Sequence, residues 1–135
     1  MRAYISVSYA KAKALVAELK SIESELTLAG IEPWIFVSKH KFSSAEEAKM
    51  MQQAFIDIDK SDFLIAECTF KAIGIGIEAG YAKARSKPVI YLRHSHAEHS
   101  TTMSGLSEFS IIYKDSDDLA LQLRKVMAAI QKGKR

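Results

Sequence analysis

Short apolar runs alternate with amphipathic segments along the whole chain. The runs are rich in residues typical of strands and lie at residues 3–7, 32–37, 63–68, 88–92 and 108–113. Segments with apolar residues at helical spacing separate them, at residues 11–28, 44–60, after residue 76 and from residue 116 onward. Residues 93–107 are polar, and we expect a loop there. The pattern predicts five strands with intervening helices.

Five strands joined by helices in this length predict an α/β fold. We expect one parallel sheet with helices on both faces and the flavodoxin-like or Rossmann-like strand order 2-1-3-4-5. The chain has 135 residues, 48% hydrophobic and 26% charged, and no linker or repeat interrupts it. It is therefore expected to form a single domain over residues 1–135.

Composition argues against several classes of protein. The net charge is only +3, and Lys132, Lys134 and Arg135 at the solvated tail supply much of it, so a nucleic-acid partner is not expected. The single cysteine, Cys68, allows no internal disulfide and suggests a buried, inert thiol in a reducing compartment. No apolar run approaches the ~20 residues of a membrane span, and the first residues are too polar for a signal peptide. We expect a cytoplasmic protein with no membrane partner.

The carboxyl ends of parallel strands share one edge of the sheet, which is where open α/β sheets bind ligands. This places Ser8 and Tyr9, residues 38–40, residues 67–78 and residues 93–104 at the same edge. Hydroxyl, basic and carboxylate side chains are all frequent there. A binding site is therefore expected at this edge.

Glu78 is the leading candidate for chemistry at that edge. The third apolar run is followed by Gly74-Ile-Gly76, where a tight turn is expected, and Glu78 then falls in the first turn of a helix. An acid at this position also complements the helix dipole, and that alternative stays open. The glycines alone are a weak dinucleotide signal, because Ala79 stands where a third glycine belongs.

The central third of the chain resembles the nucleoside 2-deoxyribosyltransferase family, which includes the deoxynucleoside 5′-monophosphate N-glycosidases. The resemblance rests on Ile65-Ala-Glu67, on Gly74-Ile-Gly-Ile-Glu78-Ala-Gly-Tyr-Ala82 and on Lys87-Pro-Val-Ile90. It implies that Glu78 attacks the anomeric carbon of the sugar and that Tyr4 hydrogen-bonds this carboxylate. Cleavage of an N-glycosidic bond passes through an oxocarbenium-like centre that a carboxylate stabilises or traps, so no metal or organic cofactor is expected.

The chain departs from the family pattern where base and phosphate are recognised. Ala54 stands in place of an aspartate that contacts the leaving base, and Ala72 in place of an aspartate or a phosphate-binding serine. Residues 8–11 replace an arginine- and glycine-rich loop. The nucleophile is therefore expected to be retained and substrate recognition to be rebuilt.

Several further residues are candidates for substrate binding. The resemblance implies that His40 lies near the base; the alternative is a solvated loop histidine. Glu67 is expected either to orient a sugar hydroxyl or assist proton transfer, or to be a paired acid at a strand end. The sequence offers basic and hydroxyl groups that could bind a 5′-phosphate. The resemblance implies that residues 100–105 reach across a dimer interface toward the substrate in the partner's site. The binding set is Ser8, Tyr9, His40, Glu67, Lys71, Gly74, Gly76, Arg93, Ser100 and Thr101.

His94, His96 and His99 have a spacing that can bind zinc. No helix fixes them and no nearby cysteine completes a tetrahedral set, so we expect no metal site.

The sequence predicts an enzyme that cleaves or transfers the base–sugar bond of a nucleoside or nucleotide. Two alternatives stay open: a non-catalytic nucleotide-binding or signalling module on the same scaffold, and an NAD glycohydrolase of the kind found in TIR domains. A homodimer or larger homo-oligomer is expected, because the helix at residues 44–60 is apolar on more than one face.

Overall fold

A five-stranded parallel sheet forms the centre of the computed structural model, which describes residues 1–133; Lys134 and Arg135 lie outside the described residues. The strand order is β2-β1-β3-β4-β5, and every neighbouring pair is parallel. The strands are Arg2–Val7 (β1), Glu32–Ile35 (β2), Phe63–Glu67 (β3), Val89–His94 (β4) and Phe109–Tyr113 (β5). The predicted sheet and its order are confirmed.

Helices cover both faces of this sheet. They are Val16–Leu28 (α1), Phe36–Lys39 (α2), Glu47–Asp59 (α3), Ile73–Ala84 (α4), Thr101–Leu106 (α5) and Ser116–Gly133 (α6), and a 3₁₀-helix at Tyr9–Leu15 precedes α1. Apolar side chains of α1 and α6 pack with one set of strand residues in one buried cluster, and those of α3, α4 and α5 with the alternate set in a second cluster. Successive side chains of a strand point to opposite faces of the sheet, so β1, β3 and β4 contribute residues to both clusters.

Several predicted boundaries differ from the structure. The second strand ends at Ile35, because the helical turn of α2 begins at Phe36. The segment predicted as the loop 93–107 contains the end of β4 and the whole of α5. The Ser100 hydroxyl accepts a hydrogen bond from the Met103 amide and so caps α5, a polar signal that also suits a loop.

The predicted Gly74-Ile-Gly76 turn is wrong. Helix α4 begins at Ile73, so both glycines are helical, and among the glycines of residues 1–133 only Gly30 has a positive φ. Residues 68–72 make the turn instead, ending at the extended residue Ala72 with φ −149°. Glu78 therefore lies in the second turn of α4.

Replacing Gly80, in the middle of α4, with alanine is expected to stabilise the protein. A Cβ at this position meets no atom within 4 Å, and Gly80 has a helical backbone. Glycine inside a helix costs about 0.5–1 kcal/mol relative to alanine, so Gly80→Ala should raise the free energy of unfolding by about that amount. Denaturant titration measures it; a lower free energy of unfolding contradicts the helical assignment.

Candidate active site

Glu78 is held by two side chains of the first strand. The Tyr4 hydroxyl donates to Glu78 Oε2, and the Ser6 hydroxyl donates to Oε1 at 2.5 Å. Tyr4 and Ser6 are two residues apart on β1 and so project from the same face of the sheet. Helix α4 packs on this face through Ile75 and Ala79, and Glu78 is one helical turn beyond Ile75. The spacing of residues along the strand and along the helix therefore places the side chains of Tyr4, Ser6 and Glu78 in contact.

Burial and hydrogen bonding act in opposite directions on this carboxylate. Burial raises the pKa of Glu78, and the hydrogen bonds from Ser6 and Tyr4 lower it without fully offsetting the burial. Tyr4 is fully buried, and its burial and the nearby charge of Glu78 raise the pKa of its hydroxyl far above the ordinary value. The tyrosine therefore remains a proton donor that orients the carboxylate.

Glu78 opens into a cavity of about 210 Å³, here called the glutamate cavity. Its polar side chains are those of Ser6, Tyr9 and Glu78. The rest of its wall is formed by apolar or small residues of β1, α2, α3 and the start of α4: Ile5, Val7, Phe36, Val37, Met50, Met51, Ala54, Ala72, Gly74 and Ile75. An apolar cavity with a few convergent polar groups is the usual form of a small-molecule site.

A second cavity of about 380 Å³, the α5 cavity, lies on the other side of the start of α4. It shares Ala72 and Ile75 with the glutamate cavity, so the two flank the same helix end. Its polar lining comes from Lys71, Ser100 and Thr102, and its remaining lining residues are Cys68, Ala72, Ile73, Ile75, Gly76 and Met103. Lys71 forms an exposed ion pair with Glu98 at 3.0 Å.

A third cavity of about 550 Å³, the aromatic cavity, continues from the glutamate cavity on the α3 side. The two share Tyr9, Phe36, Val37 and Met50. His40 lines the aromatic cavity, and its ring centroid lies 4.9 Å from that of Phe36. The two glycines predicted for the site also line cavities, Gly74 the glutamate cavity and Gly76 the α5 cavity.

Glu67 does not belong to this site. It is fully buried on the face of the sheet opposite Glu78, where its carboxylate accepts hydrogen bonds from the Tyr113 hydroxyl at 2.5 Å and the Thr69 amide at 2.6 Å. Burial raises the pKa of Glu67, and its hydrogen bonds partly offset this. These contacts agree with the second predicted role of Glu67, a paired acid at a strand end.

Three other predicted binding residues lie outside the three cavities. The Arg93 guanidinium donates to the carbonyl oxygens of His94 and Ala97, and so braces the loop after β4. Thr101 is exposed on α5, and its neighbour Thr102 lines the α5 cavity instead. Ser8 is buried at the end of β1, where its carbonyl accepts from the Lys11 amide.

Ser6 and Asp57 were not predicted as site residues. Ser6 follows Tyr4 by two residues, so the alternation of β1 was a signal that it shares the face of Tyr4. Asp57 on α3 contacts His40, and no sequence pattern pairs the two. Cys68 is 4% exposed, and its burial raises the pKa of the thiol to about 12, in keeping with an inert side chain.

The described part of the chain offers no cluster of three or more His, Cys, Asp or Glu residues placed to hold a metal ion. His94 instead contacts the carbonyl of Lys114 through Nε2 and accepts from the His96 amide. None of the helices within residues 1–133 is long and apolar enough to cross a membrane.

Comparison with known proteins gives one family match. A profile described as nucleoside 2-deoxyribosyltransferase matches residues 4–127. Searching proteins of reviewed function by sequence finds no match.

Solved structures with the same fold include three of similar length. The CMP N-glycosidase BcmB of Clostridium botulinum is 21% identical with a TM-score of 0.69, over 93% of this chain and 99% of that one. A 2-deoxyribosyltransferase of Bacillus psychrosaccharolyticus is 13% identical with a TM-score of 0.67, over 89% and 90%. A conserved protein of Enterococcus faecalis V583 is 15% identical with a TM-score of 0.61, over 98% of both chains.

Proposed function

Because this chain belongs to the nucleoside 2-deoxyribosyltransferase family, we propose that Glu78 is the nucleophile that cleaves the base–sugar bond of a nucleoside or nucleoside 5′-monophosphate. Membership makes the chain an enzyme of the N-glycosidase or 2-deoxyribosyltransferase type. The observation that carries the proposal is the contact of Glu78 with Tyr4 and Ser6 at the wall of an apolar cavity. Two donors on one carboxylate fix the direction from which its oxygens meet a substrate.

The proposed reaction has two displacement steps. A Glu78 oxygen forms a bond to the anomeric carbon while the bond from that carbon to the base nitrogen breaks, and the electron pair leaves with the base. Water or a second base then attacks the same carbon and releases the glutamate. Tyr4 and Ser6 keep the carboxylate from rotating between the two steps, so that the same oxygens serve as nucleophile and leaving group.

The glutamate cavity and the neighbouring α5 cavity suggest how the substrate lies. The apolar glutamate cavity, with Phe36 and the two methionines of α3, suits the flat face of a base. The α5 cavity suits the 5′ end, since Lys71, Ser100 and Thr102 offer donors there and the first turn of α4 adds its partial positive charge. A 5′-phosphate can accept hydrogen bonds from these donors, so we favour a 5′-monophosphate as the substrate.

Incubating the protein with pairs of nucleosides and their 5′-monophosphates tests the function. We expect release of free base, faster from the monophosphate than from the nucleoside, and slower release from the monophosphate in a Lys71→Met variant. Chromatography of the free base measures each rate. Faster cleavage of the nucleoside, accelerated by an added acceptor base, would reverse the phosphate preference and identify a transferase.

The same assay separates the alternatives. No base release from any nucleoside or nucleotide supports a non-catalytic binding module, and nicotinamide release from NAD supports an NAD glycohydrolase.

The expected homodimer also stays a proposal. Helix α3 presents Met51, Phe55 and Ile56 at partly or fully exposed positions, and Ile56 is 45% exposed. A cytoplasmic location is likewise a proposal and rests on the single cysteine.

A further inference from the structure

His40 and Asp57 form a pair next to the glutamate cavity. His40 Nε2 lies 2.7 Å from Asp57 Oδ2, and the side chains are 24% and 4% exposed respectively. The histidine follows α2, and the aspartate lies in the last turns of α3. The pair therefore joins two elements that both contribute walls to the glutamate cavity.

Asp57 is a charged anchor for the histidine ring. Besides His40, it receives hydrogen bonds from Trp34 Nε1 at 2.9 Å and from Gln53 Nε2 at 2.8 Å. Burial raises the pKa of Asp57, but the hydrogen bonds from Trp34, Gln53 and His40 outweigh it and leave the pKa below the ordinary value. A buried carboxylate held in its ionised form stabilises the protonated imidazole beside it.

Aromatic side chains pack against the histidine ring, and its second nitrogen has no hydrogen-bond partner within residues 1–133. Phe36 and Phe42 lie against the ring, with centroids at 4.9 and 5.8 Å. Nε2 is engaged by Asp57, and within residues 1–133 no group forms a hydrogen bond with Nδ1. His40 lines the aromatic cavity, which shares Phe36 with the glutamate cavity. A protonated His40 thus carries one N–H for Asp57 and one for a ligand.

The proposed reaction needs an acid that the glutamate cavity does not supply. A base leaving with the electron pair of the broken bond is a poor leaving group unless it is protonated. Of the side chains lining this cavity, only those of Glu78 and Tyr9 carry an acidic group. Glu78 acts as the nucleophile, and Tyr9 is 82% exposed, with no hydrogen bond to its hydroxyl from residues 1–133.

We propose that His40, positioned by Asp57, donates a proton to the leaving base, which extends from the glutamate cavity into the aromatic cavity. The proposal rests on the function proposed above. As the bond from the anomeric carbon to the base breaks, its electron pair stays on the base and the proton moves from His40 Nδ1 to a base nitrogen or oxygen. The base departs neutral, and neutral His40 regains its proton from water. His40 is then a catalytic residue and Asp57 a positioning residue.

The aromatic cavity adds space for a ligand beside the glutamate cavity. The glutamate cavity, at about 210 Å³, is smaller than the roughly 300–1,000 Å³ of typical ligand pockets. The aromatic cavity adds about 550 Å³ beyond Phe36. A base lying across their shared wall reaches the His40 ring.

Charged groups from several elements surround His40. Asp57 faces it from α3, Lys41 and Glu47 line the same cavity, and Lys39 lies over Trp34 with its Nζ 4.8 Å from the ring centroid. Asp57→Asn removes the carboxylate that contacts the His40 ring and so tests whether this contact positions the histidine.

The decisive experiment compares two leaving groups. The substrate of the wild-type enzyme is paired with an analogue whose base depends less on protonation. For a purine substrate this is the 7-methyl purine, which departs neutral without a proton, and for a uracil substrate it is 5-fluorouracil, whose anion is a better leaving group. His40→Gln is expected to lower kcat for the unmodified base by about 10²–10⁴-fold, the usual contribution of general acid catalysis, and to change the analogue's rate little. Asp57→Asn should give a smaller loss with the same selectivity.

Asp59→Asn is the matched control. Asp59 lies two residues from Asp57 on α3 but is paired with Arg85 at 2.9 Å, outside all three cavities. It should leave the rates on both substrates unchanged.

Equal losses on the two substrates, or no loss in His40→Gln, would overturn the role of His40. If Asp57→Asn unfolds, the partly exposed His40 still tests the proposal. An inactive Glu78→Gln beside a fully active His40→Gln would reject only the proton donor, whereas an active Glu78→Gln would reject the proposed function itself.

Discussion

Glu78→Gln is expected to lower the rate of base release by on the order of 10³-fold or more, the loss typical of a removed covalent nucleophile. The amide keeps the size of the side chain and can still meet Tyr4 and Ser6, but it has no charge to attack the anomeric carbon or to stabilise positive charge there. Single-turnover release of free base from the substrate of the wild-type enzyme measures the loss. Mass spectrometry of quenched wild-type reactions should show a sugar adduct that the variant lacks.

Glu23→Gln provides the control for the Glu78 substitution. Glu23 is an exposed acid on α1, the helix that covers the opposite face of the sheet, so its amide should react at the wild-type rate. Thermal unfolding of both variants separates lost chemistry from lost fold. Near-normal turnover by Glu78→Gln would show that Glu78 is not the nucleophile.

The double substitution Tyr4→Phe with Ser6→Ala is also expected to slow base release. Each change removes one hydrogen bond to the Glu78 carboxylate, and a hydrogen bond to a charged group contributes about 1.5–3 kcal/mol. If about half of the total for the two bonds acts in the transition state, the rate at neutral pH should fall by roughly 10- to 10²-fold. Each single variant should lose less than the pair.

The double variant should also change the pH profile. The variant lacks the two hydrogen bonds that lower the pKa of the Glu78 carboxyl, so burial raises this pKa further. The nucleophile is the ionised form, and the rate falls as pH drops through this pKa, so the low-pH limb should move to higher pH. Initial rates across the acidic range measure the shift.

Tyr113→Phe is the matched control for Tyr4→Phe. It removes the hydroxyl of another buried tyrosine that donates to a buried carboxylate, Glu67, but on the opposite face of the sheet. It should lower stability and leave the low-pH limb in place. An unmoved limb in the double variant would show that Tyr4 and Ser6 only pack against Glu78.

The sheet and its order were accessible from the sequence because each strand is a short apolar run bounded by polar or turn residues. Parallel strands also need crossover helices, whose handedness leaves few orders. The position of Glu78 at the ligand-binding edge followed from the same rule. The contact of Tyr4 with Glu78 came from the family resemblance, since no pattern within one element shows which strand residue meets a helix 74 positions later.

The glycines of α4 show where local patterns fail. Gly74 and Gly76 predict a turn because glycine is favoured there, but tertiary packing of Ile75 and Ala79 on the sheet extends the helix back to Ile73. Propensity is a weak preference, and burial of one apolar helix face outweighs it.

By itself the sequence determined the strands, their order, the edge that carries the site and the likeness of its central third to a known family. Only the tertiary structure decided which face each polar side chain takes. A strand buried on both faces, such as β3, has no polar alternation, so nothing local showed that Glu67 lies opposite Glu78. The pairing of His40 with Asp57 was equally hidden, because it depends on how α3 packs beside the end of β2 and not on any spacing within one element.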